Sequence, residues 1–327
     1  MDFLRYLFGC KGQSGYGSST TAEQVADGIS LSSYTAIVTG ATSGIGVETA
    51  RVLAKQGACV VIPVRKLQSG EEVRCKILQE FPDANVAILE LDLSSLKSVR
   101  KFVANFKALK LPLNILINNA GIAAGKFVLS EDGLELDFAT NYMGHFLLVE
   151  LLIEDMIKTA RESGKEGRIV IVSSEAHRFT PTGGIALDKI NDKKSFWYAT
   201  SYGQSKLANL LHCKELSKRL QEMGDVNVTV NALHPGSIST GIGRDFNALF
   251  TRTIFALGSP FLKNVSQRPG KQGAATTVYA AVHPSLKGIS GKYLMDCNEA
   301  DCHANAKDMK LANKLWAFSM TFLSSLS

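Results

Sequence analysis

Thr39-Gly40-Ala41-Thr42-Ser43-Gly44-Ile45-Gly46 separates a short apolar run, Tyr34 to Val38, from a stretch with helical apolar spacing, Ile45 to Gln56. A glycine-rich turn that leaves a strand and opens a helix is what a dinucleotide site requires. Glycines allow the tight turn and a close backbone approach to the pyrophosphate, and the helix N-terminus offers unpaired N–H groups to it. The spacing is G-x-x-x-G-x-G rather than the commoner G-x-G-x-x-G. Alone, such a turn can be a plain tight turn; its weight comes from the rest of the chain.

Outward from this turn, strands and helices alternate. Strands are expected at Ala58–Val64, Asn85–Leu91, Leu113–Ile117, Arg168–Ser173 and Val226–Leu233, with a last short one from Tyr293. Helices are expected at Lys66–Glu80, at Ser95–Leu109 with Ser94 as cap, and as one long element at Leu136–Glu162. Further helices fall at Ser201–Met223, Gly270–Val282 and Lys307–Leu323. Short apolar strands separated by helices imply an α/β, doubly wound, Rossmann-type domain whose parallel sheet is covered on both faces. Residues 34–300 form this domain. Residues 1–33 read as an N-terminal tail, with a short helix near Ala22–Gly28, and residues 301–327 as a C-terminal helix.

The chain has 327 residues and a formal net charge of +6, with lysines and arginines scattered rather than clustered. That argues against nucleic acid as a partner. Six dispersed cysteines in a chain of this size point to a reducing compartment and buried thiols. Cys297, Cys302 and His303 are close in sequence, but no second ligand pair completes a tetrahedral site, so no metal is expected. No apolar run reaches the length of a membrane span. Met1 to Phe8 is apolar and reads either as an interfacial anchor or as a packed tail.

The second strand ends Pro63-Val64-Arg65-Lys66, without the acid that holds the ribose 2′-hydroxyl of NAD. Arg65 can grip a 2′-phosphate bidentately, so NADP(H) is expected over NAD(H). Asp92 ends the third strand and is placed to meet the adenine edge, and Asn118-Asn119-Ala120-Gly121 follows the fourth. In Tyr202-Gly203-Gln204-Ser205-Lys206 the tyrosine and lysine share a helix face. A free phenol has a pKa of about 10. A nearby ammonium lowers it, which makes an acid/base for neutral pH.

Thr39-Gly-x-x-x-Gly-x-Gly46, Asn118-Asn-Ala-Gly121, Ser174, Tyr202-x-x-x-Lys206 and Pro235-Gly236 stand in the order seen in short-chain dehydrogenases/reductases, and the chain resembles that family from Tyr34 to Met295. The resemblance implies a seven-stranded parallel sheet. It implies Tyr202 as acid/base, Lys206 as the lysine that lowers its pKa, Ser174 as the group polarising the substrate oxygen, and Asn141 as support for the lysine through a water relay. It places cofactor contacts at Gly40, Thr42, Ser43, Gly44, Ile45, Gly46, Arg65, Asp92, Leu93, Asn119, Ala120, Gly121, Tyr202, Lys206, Pro235, Gly236 and Thr240. The substrate is then a carbonyl or alcohol of a largely apolar small molecule, held by Ser174 and Tyr202.

Two features depart from many relatives. Ile169-Val170-Ile171-Val172 carries no asparagine, and the stretch from Ser174 to Tyr202 is long, with Phe196 and Trp197 near its end. That long stretch is similar to the retinol-dehydrogenase-like branch. Gly12 to Gly28, Ser173-Ser-Glu-Ala-His-Arg-Phe179, Tyr202 to Asn209 and Gln272 to Thr277 resemble the plant Tic-type members. This likeness implies a chloroplast location, peripheral on the inner envelope and associated with the import translocon as a redox sensor; the alternative is cytoplasmic. It also implies calmodulin binding near the C-terminus. Lys307, Lys310 and Lys314 beside Leu311, Leu315, Trp316 and Phe318 suit that, but a helix packed on its own domain is the preferred reading. Relatives often pair as homodimers through the helices around Asn141 and Tyr202.

Overall fold

The computed structural model describes residues 10–236 and 270–326. The strands are β1 (Thr35–Val38), β2 (Cys59–Val64), β3 (Val86–Glu90), β4 (Ile115–Asn118), β5 (Gly167–Val172), β6 (Val228–His234), β7 (Tyr293–Met295) and β8 (Asn298–Glu299). They form one sheet in the order β3-β2-β1-β4-β5-β6-β7-β8. Neighbours from β3 to β7 are parallel, as the alternation of strands and helices leads one to expect. The two-residue β8 turns back antiparallel on β7 at the edge. The strand order reverses between β1 and β4. At that point the carboxyl ends of the strands open a crevice, where ligands bind in sheets of this kind.

The helices are α1 (Ala22–Ala26), α2 (Gly44–Lys55), α3 (Leu67–Glu80), α4 (Leu96–Ala108), α5 (Gly144–Ser163), α6 (Tyr198–Glu222), α7 (Ala275–Val282) and α8 (Met309–Ser325), with a single turn at Gly270–Gly273. Strand side chains alternate between two cores because successive residues face opposite ways. Ile37, Val61, Leu116 and Ile169 enter the core beneath α4, α5, α6 and α8. Ala36, Val38, Val60, Ile62, Ile115, Ile117 and Val170 enter the other, beneath α1, α2, α3 and α7. Burial on both faces explains why these strands read as continuous apolar runs.

Helix ends follow local chemistry. Ser95, not Ser94, caps α4: its hydroxyl accepts the Ser98 N–H at 3.1 Å. Ser94 instead donates its hydroxyl to Asp92 Oδ1 at 2.7 Å. The long helix expected from Leu136 is broken. A short turn, Leu136–Phe138, leads into a π-helical turn, Ala139–Met143, before α5. Such turns concentrate at functional sites, and this one carries Asn141.

Residues 10–33 lie against the domain. Ala22, Val25 and Ala26 are buried, and Glu23 meets Arg51, which also binds Glu48 and Glu80. At the other end, α8 buries Leu311, Ala312, Leu315, Trp316, Ser319 and Leu323. Trp316 packs edge-on against Phe146, and Ser319 bonds the Tyr142 hydroxyl at 2.7 Å. This helix therefore covers part of the surface of α6 and of the π turn, and its apolar face is occupied. Lys310 and Lys314 stay exposed. Met1 to Phe8 and Thr240 lie outside the described residues.

Candidate active site

Thr39, at the end of β1, is the hub of the glycine-rich loop. Its hydroxyl oxygen accepts the N–H groups of Asn119 and Ala120, each at 2.9 Å. The Asn119 amide donates back to the Thr39 carbonyl at 2.7 Å. So one of the two adjacent asparagines ties the loops together. The other, Asn118, is buried, with no hydrogen-bond partner for its amide among the described residues. The loops touch so closely that side chains are excluded: a Cβ on Gly46 would stand 2.3 Å from the Gly40 carbonyl oxygen, and one on Gly40 2.7 Å from the Ala120 Cα. Thr42, Ser43 and Gly44 are exposed where α2 begins, leaving its N-terminus open; Ile45 and Gly46 turn inward.

Arg65 and Lys66 are exposed just beyond β2. The Asp92 carboxylate is held by the Ser94 N–H at 2.9 Å and by the Ser94 hydroxyl, and the Asp92 N–H meets Ser98 Oγ at 2.9 Å. Leu93 is buried, and its carbonyl oxygen would lie 2.2 Å from a Cβ on Gly144. Thus α5 starts directly against the backbone behind Asp92. Pro235 and Gly236 follow β6 at the same edge of the sheet.

The residues expected to form an acid/base set converge on that edge. Tyr202 and Lys206 lie on α6, with the Lys206 Nζ 5.5 Å from the centre of the Tyr202 ring. Nζ donates to the Val172 carbonyl at 3.3 Å, and a Cβ on Gly121 would stand 3.1 Å from it. The Asn141 amide donates to the Ile122 carbonyl at 2.9 Å and to Ser205 Oγ at 3.0 Å, while its oxygen accepts the Ile122 N–H at 2.8 Å. It therefore clamps the loop after β4 to α6. Of the two serines after β5, Ser173 is structural: its hydroxyl donates to the Lys206 carbonyl at 2.8 Å. Ser174 accepts the Ala176 N–H at 3.2 Å, capping the turn Glu175–Arg178, and lies close enough to the Tyr202 phenol to pull its pKa down.

Electrostatics here differ from the expectation that Lys206 makes the phenol acidic. Burial pushes Tyr202 up to about 12, against the pull of Ser174 and with the help of Asp137. Burial also lowers Lys206 to about 8, which Asp137 opposes. Desolvation disfavours the charged form of each and is the largest cause of both shifts. The phenol is thus kept protonated, as a donor.

Three residues escaped the sequence reading. Asp137 lies one turn before Asn141; it is 1% exposed, and Oδ1 accepts the Ala124 N–H at 2.8 Å. Burial, and then the charge of Glu135, raise its carboxyl to about 7. His145 lies one turn after Asn141, and His177 three residues after Ser174; both are buried. The spacing of Asp137, Asn141 and His145 puts all three on one helix face, the one signal the sequence offered.

A family model described as short chain dehydrogenase matches residues 34–186. Beyond that stretch, the chain is 50% identical over 326 residues to "Short-chain dehydrogenase TIC 32 B, chloroplastic" of Brassica napus, covering 100% of both. This chain belongs to the short-chain dehydrogenase/reductase family. Mus musculus retinol dehydrogenase 12 is 39% identical over 287 residues, covering 88% of this chain and 85% of the relative. The crystal structure of an uncharacterised protein from Mycobacterium paratuberculosis matches with a TM-score of 0.71 and 31% identity, covering 91% of this chain and 96% of that one.

As a short-chain dehydrogenase/reductase, the protein is an oxidoreductase of alcohols or carbonyls that uses a nicotinamide dinucleotide. The residues present fit such a group. Gly40 and Gly46 let the loops after β1 and β4 close on each other, since a Cβ there would clash with Ala120 or the Gly40 carbonyl, and the exposed N-terminus of α2 beside them presents its free N–H groups to an anion.

Proposed function

We propose that the protein is an NADPH-dependent carbonyl reductase, working in reverse as an alcohol dehydrogenase, on a largely apolar small molecule. The observation that carries this reading is the convergence of Asn141, Ser174, Tyr202 and Lys206 on the sheet edge that also holds the glycine-rich loop. The nicotinamide supplies the hydride for the carbonyl carbon. As negative charge grows on the carbonyl oxygen, Ser174 and Tyr202 donate hydrogen bonds to it, and Tyr202 gives up its proton to form the alcohol. The raised phenol pKa suits that donation, and the Lys206 ammonium beside the ring stabilises the phenolate left behind. Phe179 and Trp197, 57% and 56% exposed near this cleft, offer apolar contact to the substrate.

The choice of NADPH rests on Arg65, which stands where an NAD enzyme carries an acid. Arg65→Asp is expected to weaken NADPH relative to NADH by about tenfold or more. An unchanged ratio in fluorescence titrations of both cofactors would contradict the assignment. The overall reading is tested by NADPH consumption against a panel of ketones and aldehydes. Turnover by the parent and its loss in Tyr202→Phe support it; undiminished turnover in that variant refutes the role of Tyr202.

Likeness over the full length to a chloroplastic relative supports a plastid location, and within the plastid we propose a peripheral place at the inner envelope. No helix among the described residues is long and apolar enough to cross a membrane. Plastid fractionation with an alkaline wash is expected to release the chain from the envelope; recovery in the cytosol would contradict this. Calmodulin capture through α8 would require that helix to leave the domain, since Leu315 and Trp316 are buried.

A further inference from the structure

His145 joins two parts of the site that otherwise touch through loops. Its Nδ1 lies 3.0 Å from the Asn141 carbonyl oxygen and its Nε2 2.9 Å from Thr39 Oγ1. A carbonyl oxygen only accepts, so Nδ1 carries the ring hydrogen and Nε2 is the acceptor in the neutral ring. The Thr39 hydroxyl has one proton and two lone pairs. The lone pairs are taken by the N–H groups of Asn119 and Ala120. The proton has two acceptors in reach, His145 Nε2 and the Ile117 carbonyl at 3.2 Å. That carbonyl is the farther acceptor and already takes the Thr39 N–H at 3.0 Å, so the proton belongs to Nε2.

The ring is 1% exposed. Burial lowers its pKa to about 4; the Asn141 carbonyl resists this and Lys206 adds to it, so the ring is neutral at working pH. The result is an unbroken path: Asn119 and Ala120 to Thr39, Thr39 to His145, His145 to the Asn141 carbonyl, and the Asn141 amide to Ser205 on α6. Every bond in it has a fixed direction.

We propose that His145 is a positioning residue that sets the Asn141 backbone, and through it the face of α6 carrying Tyr202 and Lys206, relative to the glycine-rich cofactor loop. The proposal rests on the oxidoreductase reading above. Its two ring nitrogens serve different halves of the site, so they are separable by substitution. In His145→Asn the amide reaches only as far as Nδ1; it keeps a donor for Asn141 and loses the acceptor for Thr39. In His145→Gln the amide reaches the Nε2 position; it keeps the acceptor and loses the donor.

The expected result is a crossed pattern. His145→Asn weakens NADPH about tenfold, the worth of one good buried hydrogen bond, with kcat nearly parental. His145→Gln binds NADPH nearly normally and loses about tenfold in kcat. NADPH affinity is read from the fluorescence of the bound nicotinamide, which needs no turnover, and kcat from ketone reduction. If both variants change the same parameter by the same factor, the ring is packing alone and the proposal fails.

Should neither variant fold, nitrogen-resolved NMR of the parent decides. An Nδ1–H tautomer that persists from about pH 5 to 8 is expected, where an unrestrained ring would titrate. A titrating ring, or an Nε2–H tautomer, overturns the proposal. A parent that binds NADPH but reduces no carbonyl defeats the oxidoreductase reading alone; the affinity and tautomer measurements still decide the role of His145.

Discussion

The cofactor loop is held by uncharged groups inside the core, whereas Ser174 sits on a turn flanked by a charged pair, Glu175 and Arg178, nearer the surface. Each side uses a buried histidine in the same way. His145 donates its Nδ1–H to the Asn141 carbonyl, and His177 donates its Nδ1–H to the Ser174 carbonyl at 2.7 Å. Their Nε2 partners differ. His145 accepts the Thr39 hydroxyl at the end of β1, while His177 accepts the backbone N–H of His303, on the segment that leads to α8. Around His177, Glu175 pairs with Arg178, the Tyr293 hydroxyl donates to Glu175 at 2.8 Å, and Arg178 donates to the Asp301 carbonyl. The glycine-rich loop is thus fixed by the loop after β4 and by α5. The Ser174 turn depends on the segment that leads to α8.

The largest effect that bears on this contrast is expected from Gly46→Ala. The new methyl would stand 2.3 Å from the Gly40 carbonyl oxygen and 2.7 Å from the Asn119 amide nitrogen. Neither can yield without breaking the Thr39 hub, so NADPH affinity should fall about a hundredfold. Near-normal affinity in a fluorescence titration would show that the loop is not rigid, and the contrast would dissolve.

His177→Leu probes the other half. It removes the donor to the Ser174 carbonyl and the acceptor for the His303 N–H. The Michaelis constant for the carbonyl substrate should rise about tenfold while NADPH affinity holds. An equal loss in both would mean the halves are braced together.

Asp137→Asn should give the smallest effect, read through pH. The Asp137 carboxyl is raised from 3.8 to about 7, so its neutral form is the one the fold prefers. The stability it contributes is complete below its unfolded pKa and is lost as pH rises through about 7. Asparagine stays neutral and still accepts the Ala124 N–H. The melting-temperature advantage of the variant should therefore grow from about pH 4 to about pH 7 and then level off. Asp137 also raises the Lys206 pKa, so the alkaline limit of reduction, near the Lys206 value of about 8, should move to lower pH in the variant. A flat difference in melting temperature would remove Asp137 from the electrostatics of the site.

The same contrast separates what was legible in the sequence from what was not. The Thr39 to Gly46 turn announces itself because glycine is the one residue whose backbones can approach so closely, and Tyr202 and Lys206 because helical spacing makes them neighbours. The strands are plain because burial on both faces leaves them mostly apolar, with few polar positions such as Thr229 and Asn231 in β6. The π turn at Ala139–Met143 left no mark, since no breaker residue stands within it; directly after it Gly144 packs against the Leu93 carbonyl. Neither His177 nor Asp137 was visible, because their partners, His303 and Ala124, are set by tertiary contact. Burial likewise inverted the expected effect on the Tyr202 phenol: helical spacing brings a charge near, but the solvent that surrounds it is decided by the fold.

A crystal structure of the protein with NADP and a carbonyl inhibitor tests the central claim most directly. The Tyr202 hydroxyl should lie within hydrogen-bond reach of the inhibitor oxygen, about 2.6–3.2 Å, with Ser174 on the same oxygen and the nicotinamide stacked beside them. A Tyr202 hydroxyl turned away from that oxygen, with another side chain in its place, would contradict it.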